Sequence, residues 1–275
     1  MSSILTNSSA MVALQTLKGI NSNLAGTQSE ISTGKSIAGA KDNAAIWAIS
    51  KVMESDVGGF NAISDSLALG ESTVAVAVDG AEQITDLLQQ VKEKIVSATG
   101  TNVDHTKLTA EVTQLTSQVT SIISGSQFNG SNLLNTEGTA GINVLSSLDR
   151  AADNSVSAKF IAVASVDFEA NLDLSNIDVS DATAANTSLA AIETHIQTAV
   201  DGAAALGASA ARLNNQSTFV GKITDAMTNG IGSLVDADME EASARLQALQ
   251  TQQQLGIQAL SIANQQPQNI LSLFR

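Results

Sequence analysis

Apolar residues recur in alternating steps of three and four from Ile46 to Ile95, and this pattern limits what the chain can fold into. The stripe runs Ile46, Ile49, Met53, Phe60, Ile63, Leu67, Gly70, Val74, Ala77, Ala81, Ile84, Leu88, Val91, Ile95, with only Asp56 polar among its positions. Such spacing keeps one narrow stripe on one side of an α-helix, whereas a strand repeats every two residues. The single proline is Pro267, so nothing in this stretch breaks the helix. Asp42 or Asn43 is placed to cap its start. Gly58-Gly59 and Gly70 are expected to weaken it, with a bend near Gly58. At about 1.5 Å per residue it is a rod roughly 80 Å long.

A turn at residues 100–104 leads to a second helix carrying Leu108, Val112, Leu115, Val119 and Ile122 and ending near Gly125. It is expected to pack back antiparallel on the first. Rhythm resumes at Leu189 and passes through Ile192, Ile196, Ala199, Ala203, Leu206, Ala210, Leu213, polar Ser217, Val220, Thr224, Met227 and Ile231 to Leu234. Between the rods, Asn, Gly and Ser punctuate short runs such as residues 141–145 and 160–166. These read as a few strands in a small outward module at the loop end of the bundle.

The two ends carry complementary stripes. Ala10, Ala13, Leu17, Ile20, Leu24, Thr27 and Ile31 form one; Met239, Ala242, Leu246, Leu249, Gln253, Gly256, Leu260 and Ala263 form the other. Both are heptad seams, and each needs a partner helix. The second seam is one residue out of phase with the rod before it, which puts a boundary at residues 235–238. Gln253 lies on a seam, where a polar side chain either fixes register or stays solvated. Isolated helices this short, rich in Ser, Asn and Gln, are marginal in water. They should order only when several copies pack together. The apolar last turn, with Ile270, Leu271, Leu273 and Phe274, needs a neighbour to cover it. The fold expected is mainly α: a long antiparallel helical bundle plus a terminal two-helix coiled coil, with a small β-rich middle module.

Composition removes many functions. Net charge is −14 with 13 Lys and Arg, a poor match to nucleic-acid phosphates or anionic membranes. No stretch has the apolar length of a membrane span. The absence of cysteine excludes disulfides, thiolate metal sites and thiol nucleophiles. His105 and His195 have no partner at metal-ligand spacing, and Asp173, Asp178 and Asp181 do not follow the calcium-loop pattern. Gly34 to Gly39 lacks a phosphate-cradling signature, and Lys41 and Asp42 read as polar joint residues. No catalytic residue, cofactor or metal is expected. The first residues lack a basic leader and an unbroken apolar core, so export without a cleavable signal is expected.

Motifs at both ends resemble bacterial flagellins. Ile4-Leu5-Thr6-Asn7-Ser8-Ser9-Ala10 is similar to the family's INTN-type opening. Ser32-Thr33-Gly34-Lys35-Ser36-Ile37 and Ala40-Lys41-Asp42-Asn43-Ala44-Ala45 are similar to its SSGxRI and SAKDDAA joint. Residues 263–275 are similar to its ANQxPQNVLSLLR ending. The resemblance covers roughly 1–130 and 185–275, and residues 41–48 look like the alphaproteobacterial type. It implies a subunit that polymerises into the flagellar filament for swimming, lying outside the cell. Residues 1–34 and 236–275 would be inner-tube helices and 35–45 a joint. Residues 46–130 and 184–235 would be the bundle, and 131–183 a variable outer module. Self-association would use Leu17, Ile20, Leu24, Ile31, Leu246, Leu249, Gln253, Leu260, Ile270, Leu271, Leu273 and Phe274. Implied partners are other copies, hook-junction proteins, the filament cap, an export chaperone and the type III export apparatus, through which the chain would pass unfolded.

One departure has a consequence. The segment read by the flagellin-sensing Toll-like receptor is LQRVRELAVQ in enteric members; here residues 88–97 put Gln90 in place of an arginine and Lys94 in place of a leucine. Losing a bidentate donor predicts weak or absent activation. A hook–filament junction protein is disfavoured by the 263–275 ending. A coiled-coil surface adhesin would be expected to carry a cleavable signal. An enzyme-bearing filament protein would need a longer insert with an HExxH motif.

Overall fold

The computed structural model describes residues 7–138, 140–151 and 155–273, with the backbone alone for 266–273. The elements are α1 (Ser8–Thr33), α2 (Ala44–Ala98), α3 (His105–Gly125), β1 (Gln127–Phe128), β2 (Ser131–Asn132), β3 (Ile142–Arg150), β4 (Val156–Val163), α4 (Phe168–Asn171), α5 (Ala182–Val235) and α6 (Met239–Leu273). They form two compact units. One holds Met1–Val57 and Ala226–Arg275, the other Gly58–Asp225.

In the second unit the predicted stripe of α2 is its core. Ile63, Leu67, Val74, Ala81, Ile84, Leu88, Val91 and Ile95 are fully buried. They face Ile192, Ala199, Leu206, Leu213 and Val220 of α5, which the same three/four spacing selected. Asn214 bonds Glu71 at 3.2 Å, and Lys92 pairs with Glu193 at 2.6 Å. Moving up α2 from Glu71 to Lys92 moves back along α5 by the same number of residues, so the two rods run antiparallel without slipping. Lys94 pairs with Glu111 at 2.7 Å and ties α3 to α2.

α5 starts earlier than its stripe, because Asp181 accepts from the backbone N–H groups of Thr183 and Ala184 and caps it. The stripe also fails at its outer ends. Ile49 and Leu234 were expected on the seam but are exposed, while Ser50 and Val235 are buried. Both lie in the other unit.

The glycines of α2 do something the sequence did not suggest. The helix runs unbroken from Ala44 to Ala98. A Cβ on Gly59 would lie 2.5 Å from Leu148 Cδ1, and one on Gly70 would lie 2.5 Å from Val144 Cγ2. Gly80 would meet Ser126 and Leu134. These positions are notches that admit β3 and the chain before it. On α5, Gly202 admits Val166 and Phe168 in the same way.

The β-rich segment is therefore placed differently from the expectation. It does not cap the loop end of the bundle but lies along the rods. Leu145 donates its N–H to Ser66 of α2 at 3.2 Å, and Gln216 of α5 donates to the Ser146 carbonyl at 2.8 Å. Val144, Ile161, Val163, Phe168, Leu172 and Val179 are all buried. β3 and β4 form a two-stranded antiparallel sheet with a bulge at Ser146. β1 and β2 join through Asn129 and Gly130, both at positive φ (50° and 82°), the geometry an Asn-Gly hairpin turn requires.

Candidate assembly surface

α1 and α6 pack against each other as an antiparallel pair. Asn7 begins it. Its Oδ1 accepts from Ala10 N at 3.0 Å, capping α1, and its Nδ2 donates to the Ala263 carbonyl at 2.7 Å. Asn7 was not among the sequence candidates; an Asn three residues before Ala10, the first stripe residue, is the N-cap signal that points to it. Residues 1–6 lie outside the described residues.

The stripe of α1 is reproduced position by position. Ala10, Ala13, Leu17, Ile20, Leu24 and Ile31 are half-buried, Thr27 is buried, and nearly everything between is exposed. On α6, Ala242, Leu249 and Ala263 are buried, and Leu246, Gln253, Gly256 and Leu260 are half-buried. Met239 is exposed. Gln253 donates to Asn21 Oδ1 at 2.7 Å, so the polar seam residue pins the register of the two helices. A Cβ on Gly256 would sit 3.1 Å from Leu17 Cδ1, so this glycine sets how closely the helices approach. Arg245 reaches Glu30 of α1 at 3.8 Å and Glu241 one turn back at 2.5 Å. The backbone of α6 runs to Leu273, but the side chains of Ile270, Leu271 and Leu273, and all of Phe274, lie outside the described residues.

The joint zips the base of this pair. Gly34 ends α1 at φ 69°, and its carbonyl accepts from Ala237 N at 2.9 Å. Ser36 N donates to the Val235 carbonyl at 2.8 Å, forming a bridge between Lys35 and Asp236. Asp238 then caps α6 by accepting from the Glu240 and Glu241 amides. Asp42 closes the loop by accepting from Ala38 N and Gly39 N. Glu54 lies between Lys51 at 2.6 Å and Lys35 at 3.5 Å. The Lys51 hydrogen bond chiefly holds the Glu54 carboxyl below the usual carboxylate range.

The pair does not bury what it carries. Met11 and Val12 on α1 are 63% and 64% exposed, and on α6 Leu255, Ile257 and Ile262 are 59%, 54% and 66% exposed. Leu255 and Ile262 lie seven residues apart, so they share one face of α6, turned away from the seam.

Leu88, Val91 and Ile95 are core, while Gln90 is exposed and Lys94 half-buried beside Glu111. The Lys94 ammonium is held above its ordinary range, first by that hydrogen bond. These two residues line an apolar groove of about 390 Å³ with Ala110, Glu111, Gln114 and Leu115. Asp173 and Asp178 accept from the turns that follow them, and their carboxyls are lowered chiefly by Ser175 and Ser180 respectively. His105 Nδ1 contacts the Val179 carbonyl at 3.0 Å, holding the start of α3 to that loop. Among the described residues no cluster of His, Asp and Glu could hold a metal, and no helix is long and apolar enough to cross a membrane.

The fold and this surface define a class first: a helical structural subunit whose two chain ends pack together and leave apolar stripes uncovered. The comparisons narrow it. The bacterial flagellin N-terminal helical region matches residues 4–139, and the C-terminal helical region matches residues 189–274. Flagellin FljK of Caulobacter vibrioides is 42% identical over 100% of this chain and 99% of its own length. A flagellin of Brucella melitensis is 42% identical over the whole of both chains, and flagellin C of Rhizobium meliloti is 36% identical over the whole of both. The chain belongs to the bacterial flagellin family. As a flagellin it is a structural subunit of the extracellular flagellar filament and not an enzyme, and its similar relatives are alphaproteobacterial.

Proposed function

We propose that α1 and α6 are the polymerising part of this flagellin, and that they drive filament growth by burying the stripes a lone subunit exposes. The observation that carries this is the exposure of Met11, Val12, Leu255, Ile257 and Ile262 on the outer faces of a pair already joined through its other seam. An apolar surface of this kind on an otherwise strongly acidic chain marks a contact site. Leu17, Ile20, Leu24, Ile31, Leu246, Leu249, Gln253 and Leu260 hold the pair together so that the stripes are presented in register. Ile270, Leu271, Leu273 and Phe274 are proposed to extend the contact. Residues 1–34 and 236–275 are then the inner-tube helices, 35–45 the joint, 46–130 and 184–235 the bundle, and 131–183 the variable module.

Export of the unfolded chain through the type III apparatus without a cleavable signal fits this reading, as do a chaperone, the hook-junction proteins and the filament cap as partners. Replacement of the motif arginine by Gln90 and the motif leucine by Lys94 supports weak Toll-like receptor activation. A reporter-cell response equal to that of an enteric flagellin would refute that part.

Leu249→Asp puts a charge into the buried seam, and Leu260→Asp puts one at its half-buried edge. Each variant should remain soluble with an intact bundle by circular dichroism, yet raise the critical concentration for polymerisation by at least about tenfold. Electron microscopy showing normal filaments from either variant at wild-type concentrations would overturn the assignment.

A further inference from the structure

We propose that the outer edge of β4 docks a second copy of this chain, the two β4 strands pairing antiparallel about Ala158. The direction of the backbone groups leads to this. Leu145 gives its N–H to Ser66 on the helix side, so its N–H and C=O point away from β4. Leu145 lies opposite Phe160. In an antiparallel ladder opposite residues exchange both bonds or neither, so Phe160 directs its own groups away from β3. Independently, Ser146 Oγ donates to the Lys159 carbonyl at 3.0 Å, which puts Lys159 on the β3 side. Alternation along the strand then aims the N–H and C=O of Val156, Ala158 and Phe160 at the open edge. The sheet has only two strands, and no described residue pairs with that edge.

The edge is also poorly protected. Residues 156–160 are exposed on both faces, with Val156 at 50% and Phe160 at 57%. Open edges in soluble proteins are usually blunted by charges, proline or bulges. β4 has one lysine, no proline and no glycine, and the bulge lies on β3. Exposing Phe160 is notable in a chain with only 3% aromatic residues.

The occupant follows from the register. Pairing about Ala158 sets Val156 against Phe160 of the second copy and Phe160 against its Val156, an aromatic–β-branched pair on each side of a small centre. All three pairs are of the hydrogen-bonded kind. On the other face Lys159 meets Ser157 of the second copy, so the two lysines never oppose each other. The strand is thus complementary to itself in charge, size and hydrogen bonding. Subunits in one polar filament all point the same way, so a two-fold contact cannot join neighbours within it. It joins copies in two filaments, or two free subunits, and repetition along a filament multiplies a weak contact. The bundling consequence rests on the filament reading above; the strand pairing does not.

The chain has no cysteine, which makes the register directly readable. Full-length Ser157→Cys and Lys159→Cys proteins are mixed one to one and oxidised in air, after circular dichroism shows both are folded. Positions 157 and 159 of opposing strands form a non-hydrogen-bonded pair with Cα atoms about 4.5 Å apart, within disulfide range. Mixed dimers should exceed either homodimer by about tenfold, where random collision gives only about twofold. Adding Phe160→Glu to both proteins should return the yield to the random ratio. A random ratio at the outset, no cross-linking, or a mixed yield unchanged by Phe160→Glu would each overturn the pairing. Filaments are scored by electron microscopy on wild-type protein, so failure of assembly is told apart from failure of this contact.

Discussion

At the scale of single residues, glycine has opposite effects in different parts of the same helices. A methyl group on Gly70 collides with the buried, branched Val144, and one on Gly59 collides with a terminal methyl of half-buried Leu148, which must shift to admit it. Gly59→Ala or Gly70→Ala should lower stability by about 1–3 kcal/mol, as overpacking does. Gly207 has nothing within 4 Å of where its Cβ would be. Gly207→Ala should be neutral or stabilising by up to about 1 kcal/mol, because alanine loses less backbone freedom in a helix. Thermal unfolding of the three variants checks both signs.

Glu54 makes a second residue-scale case. Its pKa is lowered in the folded protein, so its contribution is present above the unfolded carboxylate value and fades as pH falls through the folded one. The group is about one-third exposed, so solvent screening keeps the effect small. The joint should loosen on acidification below the ordinary carboxylate range. Trp47, the only tryptophan, sits on the same helix and reports it by fluorescence. Glu54→Gln should flatten that acid transition; an unchanged transition would mean other carboxylates control it.

At the scale of elements, what was legible in the sequence was whatever periodicity encodes. The stripes of α1, α2 and α5 were read correctly because each faces one continuous partner and a single spacing rule applies. The rule fails at Ile49 and Leu234, which are exposed although they continue the stripes of α2 and α5. Periodicity also says nothing about what fills a notch, so Gly59 and Gly70 read as weak points and the β-rich segment as a module at the bundle's end instead of along the rods. Its burial changes what trimming should do. Phe168 is fully buried against Gly202, so Phe168→Ala alone should cost about 3–5 kcal/mol. A denaturant midpoint within error of wild type would show that the module is dispensable after all. The outer apolar face of α6 stayed hidden for a related reason: in a lone chain nothing covers it, so only its exposure reveals it.

At the scale of the whole molecule, charge opposes the association that the apolar stripes favour. Each subunit carries −14, so copies repel one another before their stripes can touch. Screening shortens the reach of that repulsion to about 8 Å at physiological ionic strength, from about 30 Å at 0.01 M. Contacts between buried apolar groups are not weakened by modest salt. Polymerisation should therefore speed up steeply as salt rises from low to physiological levels and then level off. Light scattering from purified subunits across that range measures it. The same titration separates the terminal stripes from the charge. If Leu249→Asp acted only by adding negative charge, salt would rescue it. If it acts by breaking the seam between α1 and α6, assembly stays blocked at every salt concentration, and Leu249→Asn, which adds no charge, is blocked too. The buried position of Leu249 requires the second outcome. Rescue by salt, together with normal assembly of Leu249→Asn, would show that repulsion and not packing limits growth.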